Sequence, residues 1–189
     1  MKEIITAGVD EVGRGCLAGP VVSAAVILKK GINLKLLKDS KKISYKKREE
    51  ISEHIKSFSF HAIGIASVEE ILNLNILQAS LLSMKRAIEQ LAVKPSLTLI
   101  DGNFAPKGLK NYKTIVNGDK KVKVISAASI VAKVYRDKLM IKLSEKFSSY
   151  AWERNFGYGT KAHLNGLKRF GVTSHHRKGF KPIHKILFS

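Results

Sequence analysis

Three carboxylates carry the strongest chemical signal in this sequence. Asp10 and Glu11 close the apolar run IITAGVDEV just ahead of Gly13-Arg14-Gly15, and Asp101 closes a second apolar run, LTLID, just ahead of Gly102. In an open α/β sheet the crevice at the carboxyl ends of the strands is where ligands bind, so acids gathered there point to a site. Their hard oxygen donors suit Mg²⁺ or Mn²⁺. Two such ions roughly 4 Å apart can activate a water and steady a leaving oxygen in phosphodiester hydrolysis. Packing several carboxylates together is costly without cations to offset the repulsion. The competing reading, a turn acid capping a helix, accounts for any one of the three more easily than for all of them. Neighbouring residues on a regular strand face opposite ways. Asp10 and Glu11 therefore serve one metal pair only if the strand ends or bends there, and Gly13 and Gly15 could supply that bend.

Other residues have two readings each. Asp119, in VNGDKKVK ahead of a long helical pattern, either caps that helix or completes the metal site. Asp137, in YRDKLM beside Arg136 and Lys138, reads as a helix-surface ion pair. Asp39-Ser40-Lys41-Lys42 offers hydroxyl and ammonium groups to a phosphate, or is a solvated loop. Tyr158, between Gly157 and Gly159, could stack on a sugar or base, or could simply pack. His175-His176-Arg177 could meet phosphate or carry a proton, with no Cys or third clustered His to suggest zinc. Trp152 carries no signal. GRGCLA fits a loose dinucleotide-binding pattern, but two acids before it would repel a pyrophosphate, and the strand-like PVVSAAVIL follows where a helix is required. No Walker phosphate loop is present.

The elements that must position these groups follow from periodicity. IITAGVDEV and PVVSAAVIL read as a hairpin around a Gly-rich turn, and FSFHAIGIA as a third strand. YKKREEISEHIKSF has helical spacing of Ile51 and Ile55, with Ser44 as a possible cap. SVEEILNLN and then ILQASLLSMKRAIEQLA place apolar residues at 76, 77, 81, 84, 88 and 91, the stripe of a helix covering a sheet. LTLID reads as a buried strand, YKTIV as a fifth, and VISAASIVAKVYRDKLMIKLSEKF as the longest helix. TKAHLNGLKRF carries helix signals within a Gly- and His-rich end. This alternation points to an α/β fold.

Composition narrows the partner. The 189 residues have the length of one domain, 44% of them hydrophobic, with no repeat or Pro/Gly-rich linker, so residues 1–189 read as a single domain. The 34 Lys and Arg against 15 Asp and Glu leave a formal charge of +19, which favours a polyanion, although a solvated Lys-rich surface gives the same count. Residues 1–100 carry 15 basic and 10 acidic side chains and residues 101–189 carry 19 and 5, so the second half is the more basic. The single Cys16 excludes an intramolecular disulfide and reads as a small packing residue. No signal-type or membrane-length apolar run occurs, so the expectation is a cytoplasmic protein with no membrane partner.

Seven blocks, in order, resemble the type 2 ribonuclease H enzymes, specifically bacterial ribonuclease HII: GVDEVGRGCLAGPVVSAAV, DSKK, LTLIDGN, NGDKK, SAASIVAKVYRD, GYGTKAHL and HHRKGFKP. The resemblance spans nearly the whole chain. It implies a ribonuclease H-like fold, a mixed five-stranded central sheet flanked by helices. A helical C-terminal part, about 150–189, would be a substrate-binding extension. It implies an endonuclease for RNA–DNA hybrids that also incises 5′ to ribonucleotides embedded in duplex DNA, acting as a monomer with two Mg²⁺ or Mn²⁺ ions and leaving 5′-phosphate and 3′-hydroxyl ends. By matching position, Asp10, Glu11, Asp101 and Asp119 would be the catalytic metal ligands. Gly13, Arg14 and Gly15 would read the ribose 2′-hydroxyl, Ser40 and Lys41 would bind substrate, and Tyr158 would stack on the adjoining deoxyribose. Two positions depart from the family pattern: Asn117 stands where a lysine is common, and Gly179 where a serine is usual. The chain starts at its first strand, whereas the sister ribonuclease HIII carries an extra N-terminal domain; this favours HII.

Two other readings lead to different experiments. A non-catalytic basic nucleic-acid-binding protein would bind in a salt-sensitive way without cleavage. A nuclease or recombinase of the same fold acting on DNA alone would not respond to replacing the ribonucleotide.

Overall fold

Alternating apolar residues build a single five-stranded sheet in the computed structural model, which describes residues 4–37 and 43–188. Strands β1 (Thr6–Val12), β2 (Val21–Leu28), β3 (Ser59–Ala66), β4 (Leu97–Asp101) and β5 (Tyr112–Ile115) lie in the order β3-β2-β1-β4-β5. The pairs β1–β2 and β2–β3 are antiparallel, while β1–β4 and β4–β5 are parallel, so the sheet is mixed as expected.

The helices are α1 (Tyr45–Ser57), α2 (Val68–Glu89), α3 (Gly118–Lys121), α4 (Lys123–Lys146), α5 (Trp152–Asn155), α6 (Lys161–Phe170) and α7 (Lys181–Phe188). The interior strand β2 shows why two helical layers are needed. Its Ala24 and Val26 join a cluster with Ile51 and Ile55 of α1 and Ile130 and Val131 of α4, whereas Ala25 and Ile27 join Met84 and Ala87 of α2 on the opposite face. A fully buried Ile such as Ile130 stabilises the fold by about 2 kcal/mol. A Cβ at Gly8 would strike the Val124 backbone, which explains why β1 and the start of α4 can touch directly.

Local chemistry sets the helix starts. Ser44 accepts from the Lys47 amide at the head of α1, as its position suggested. Ser67 and Glu70 form a reciprocal capping box on α2. The helix, expected as one, breaks at Asn75, which has a left-handed φ of 69° and accepts from the Leu77 and Gln78 amides, capping the second part.

A third cluster gathers the end of the chain. Tyr150, Trp152, Leu167 and Ile183 pack with Met140 of α4 and with Leu17 and Ala18 of the Gly-rich turn. The C-terminal helices therefore share apolar contacts with the turn that follows Asp10 and Glu11. Among the described residues no helix is long and apolar enough to cross a membrane.

Candidate active site

Four acids from three stretches of chain line one cavity of about 460 Å³: Asp10 and Glu11 from β1, Asp101 from the end of β4, and Asp119 from α3. Gly13, Arg14, Gly15 and Tyr158 border the same space, together with Arg48, Ser129 and Lys133. Ser40 and Lys41 lie outside the described residues.

The strand expected over IITAGVDEV ends at Val12, and the bend expected at the glycines follows directly after it. β1 stays paired to its end, with Glu11 opposite Ser23 and Val12 opposite Val22, because its antiparallel partner continues alongside. Both acids nevertheless face the cavity. Glu11 is drawn toward the turn by Arg14, whose Nη1 donates to Glu11 Oε1 at 3.1 Å, and the Glu11 amide donates to Asp10 Oδ1 at 2.7 Å. Gly13 then bends the chain with a φ of 96°.

Burial works against charge here. Asp10 is only 6% exposed, and burial, followed by the charges of Glu11 and Asp101, holds its carboxyl well above the usual carboxylate range; a hydrogen bond with Ser129 offsets part of this. Glu11 is also raised by burial, with Arg14 opposing and Asp101 adding to the shift. On the far side, Asp101 Oδ1 accepts the amide of Gly118 at 2.6 Å and that of Asp119 at 3.3 Å, fixing α3 beside the strand end. Among the described residues no three His, Cys, Asp or Glu side chains already stand as a closed coordinating group. The acids line a shared space and repel one another across it. An all-oxygen donor set of buried, mutually repelling carboxylates fits a hard divalent cation, which would favour the ionised forms that burial opposes.

The cavity also has a cationic wall that the sequence reading missed. Ser129, Lys133 and Asp137 recur every four residues along α4, so they share one side of the helix. Asp137 is an ion-pair partner, as expected, but it is fully buried rather than on the surface, and its partners are Lys133 at 2.6 Å and Arg48 at 3.9 Å. The i, i+4 spacing of Lys133 and Asp137 was the available signal. Arg48, from the KKREE stretch of α1, carried none.

The histidines also differ from expectation. A third histidine does cluster: His163 Nε2 lies 3.0 Å from His176 Nε2, and both rings are fully buried. His163 Nδ1 donates to the Tyr158 carbonyl, leaving its Nε2 to accept from Trp152 Nε1 and from His176 Nε2. His176 Nδ1 then accepts from the Thr173 amide and hydroxyl. Every ring nitrogen is satisfied with both imidazoles neutral, so this is a structural network that fixes the Tyr158 backbone, and Trp152 is part of it.

Comparison with known proteins places these features in a family. Residues 7–188 match the family model described as Ribonuclease HII. The chain is 59% identical over 185 residues to a Ribonuclease HII of Pelagibacter ubique (strain HTCC1062), covering 97% of this chain and 99% of that one. The crystal structure of the ribonuclease H2 from Pyrococcus horikoshii OT3 superposes with a TM-score of 0.79 at 25% identity, covering 97% of each chain. A Bst-RNase HIII crystallised in complex with Mn²⁺ shares the fold, with a TM-score of 0.74 at 18% identity over 98% of this chain and 70% of that one.

Proposed function

This chain belongs to the ribonuclease HII family of endonucleases acting on RNA–DNA hybrids, and on that premise we propose that Asp10, Glu11, Asp101 and Asp119 hold two divalent cations, Mg²⁺ or Mn²⁺, at its catalytic centre. The observation that carries the proposal is the convergence of these four acids on one cavity beside the Gly13-Arg14-Gly15 turn. The Mn²⁺ held by the ribonuclease HIII of the same fold supports the choice of ion. Bound divalent cations supply Lewis acidity, which lowers the cost of charge developing on the attacking and leaving oxygens of a phosphodiester.

The chain's own groups have separable tasks. Burial and the neighbouring acids push the carboxyls of Asp10 and Glu11 upward, and a cation beside them would favour their ionised forms. Lys133 and Arg48 line the same cavity, where they would steady the scissile strand's phosphates. Arg14 has its side chain committed to Glu11, which leaves the backbone of the turn to meet the ribose. The backbone of Gly13, Arg14 and Gly15 reads the 2′-hydroxyl, the group that distinguishes RNA from DNA at one position. Tyr158, 41% exposed at the cavity edge, stacks on the neighbouring deoxyribose. Helices from about 150 to 189 extend the duplex-binding surface, and the +19 charge holds the backbone of either strand. The enzyme works as a cytoplasmic monomer, cutting on the 5′ side of a ribonucleotide to leave 3′-hydroxyl and 5′-phosphate ends.

The test is cleavage of an end-labelled DNA duplex holding one ribonucleotide, with Mg²⁺ or Mn²⁺, beside an all-DNA control and a chelator control. Metal-dependent incision 5′ to the ribonucleotide is expected. Binding without incision under both metals would refute the proposal.

A further inference from the structure

Among the described residues, two buried arginines direct their side-chain hydrogen bonds to backbone carbonyls, while the Arg177 guanidinium also lies 5.1 Å over the Phe180 ring and keeps its Nη2 without a hydrogen bond. Arg136 of α4 is fully buried, and Arg177, in the segment before α7, is 1% exposed. Arg136 Nε donates to the Pro20 carbonyl at 2.9 Å, its Nη2 to Ala18 at 3.0 Å, and its Nη1 to Phe156 at 2.8 Å. Arg177 Nε donates to the Gly19 carbonyl at 2.9 Å and its Nη1 to that of Arg14 at 2.9 Å, while its own amide donates to Leu17 at 2.8 Å. Among the described residues neither guanidinium hydrogen-bonds a carboxylate.

All but one of these acceptors belong to the single turn that follows Asp10 and Glu11. Burying a guanidinium is expensive, and well-packed apolar side chains usually stabilise a core at least as well. What a planar, five-donor fork provides instead is fixed direction to several carbonyls at once. The approach is close: a Cβ at Gly13 would collide with Arg136 Nε. The turn is also tied on its third side, since the Leu17 amide donates to Gly157 at 2.8 Å and the Gly19 amide to His175 at 2.9 Å.

We propose that Arg136 and Arg177 are positioning residues that hold this turn, before substrate arrives, in the shape that presents the backbone of Gly13, Arg14 and Gly15 to a ribose 2′-hydroxyl. This rests on the reading of that turn given under Proposed function. A preformed reader loses no ordering entropy on binding, so its discrimination depends on the frame that holds it. Arg177→Lys keeps the charge and loses the fork.

The experiment compares binding of a labelled DNA duplex holding one ribonucleotide with binding of its all-deoxy counterpart, in Ca²⁺, for the wild-type protein and Arg177→Lys. The wild type should favour the ribonucleotide duplex. Arg177→Lys should lose at least tenfold of that preference while its affinity for the all-deoxy duplex stays within twofold, a split that general loss of stability would not produce. An unchanged preference in the folded variant overturns the proposal. No preference in the wild type would instead refute the reading of the turn itself. Should Arg177→Lys not fold, hydrogen exchange of the free wild-type protein decides: the Nε protons of Arg136 and Arg177, which donate to the Pro20 and Gly19 carbonyls, should exchange at least a hundredfold more slowly than those of a free arginine, and exchange near the free rate overturns the proposal.

Discussion

Asp101 Oδ1 accepts the backbone amide of Gly118, 17 residues further along the chain, at 2.6 Å. The acid at the end of β4 thereby anchors the short helix that carries Asp119, so two of the four carboxylates are held in one local frame. Gly118 has little room: a Cβ there would lie 2.7 Å from Ile125 Cδ1 and 3.3 Å from Asp101 Oδ1. Gly118→Ala should therefore push α3 away, costing about 1–3 kcal/mol of stability and at least tenfold in turnover. Chemical denaturation together with steady-state cleavage checks both, and an active site indifferent to this substitution would mean the Asp101–α3 contact does not matter for catalysis.

The His163–His176 pair gives the fold a pH dependence of definite sign. Burial first, then the neighbouring His163 and His175, brings His176 down to about 4 from an ordinary value near 6.5, and His163 is lowered too, chiefly by burial. A lowered value means the unfolded chain takes up the proton first as pH drops. The pair's contribution is thus complete above pH 6.5 and is lost as pH falls toward 4, on the order of 3 kcal/mol for His176. Urea melts between pH 7.5 and 4.5 should show that slope, and His176→Gln should flatten it; an equally steep slope in the variant would contradict the neutral-pair assignment.

Asp137 is expected to act through its cations. Its Oδ1 accepts from Lys133 Nζ at 2.6 Å, and Lys133 lines the catalytic cavity. Asp137→Asn should cost about 2 kcal/mol of stability and raise KM for a hybrid several-fold more than it lowers kcat, because the wall that meets phosphate loosens. A fall confined to kcat would place Asp137 in the chemistry instead.

Ser67→Ala provides a contrast remote from the cavity. Removing one half of the α2 capping box should cost about 1 kcal/mol and leave kcat unchanged within twofold. Thermal melting and cleavage assays on the same preparation test this.

Much of this fold could be read from local pattern. The hairpin of β1 and β2, the buried LTLID strand and the long α4 follow from period and composition, whereas the Asn75 break inside α2 did not show in the apolar stripe. Asp10, Glu11 and Asp101 stood out because acids at the ends of apolar runs are conspicuous. What local pattern could not reveal was how chain-distant groups meet. Arg177 reaches the Arg14 carbonyl only after the C-terminal part folds back on the turn, and His163 reaches His176 across the 13 residues that bring α6 to the segment before α7. Lys133 was hidden for a different reason: Asp137 has basic neighbours on both sides, and only the helical repeat selects the partner one turn earlier.

The most direct test of the metal-site assignment is Asp101→Asn. An amide oxygen can still accept from the Gly118 amide, so the anchor of α3 survives while the charge is removed. Single-turnover cleavage of a duplex holding one ribonucleotide, with Mn²⁺ at saturating enzyme, should fall at least a thousandfold, with the melting temperature close to that of the wild type. Cleavage within tenfold of wild type would contradict the assignment of Asp101 to the catalytic centre.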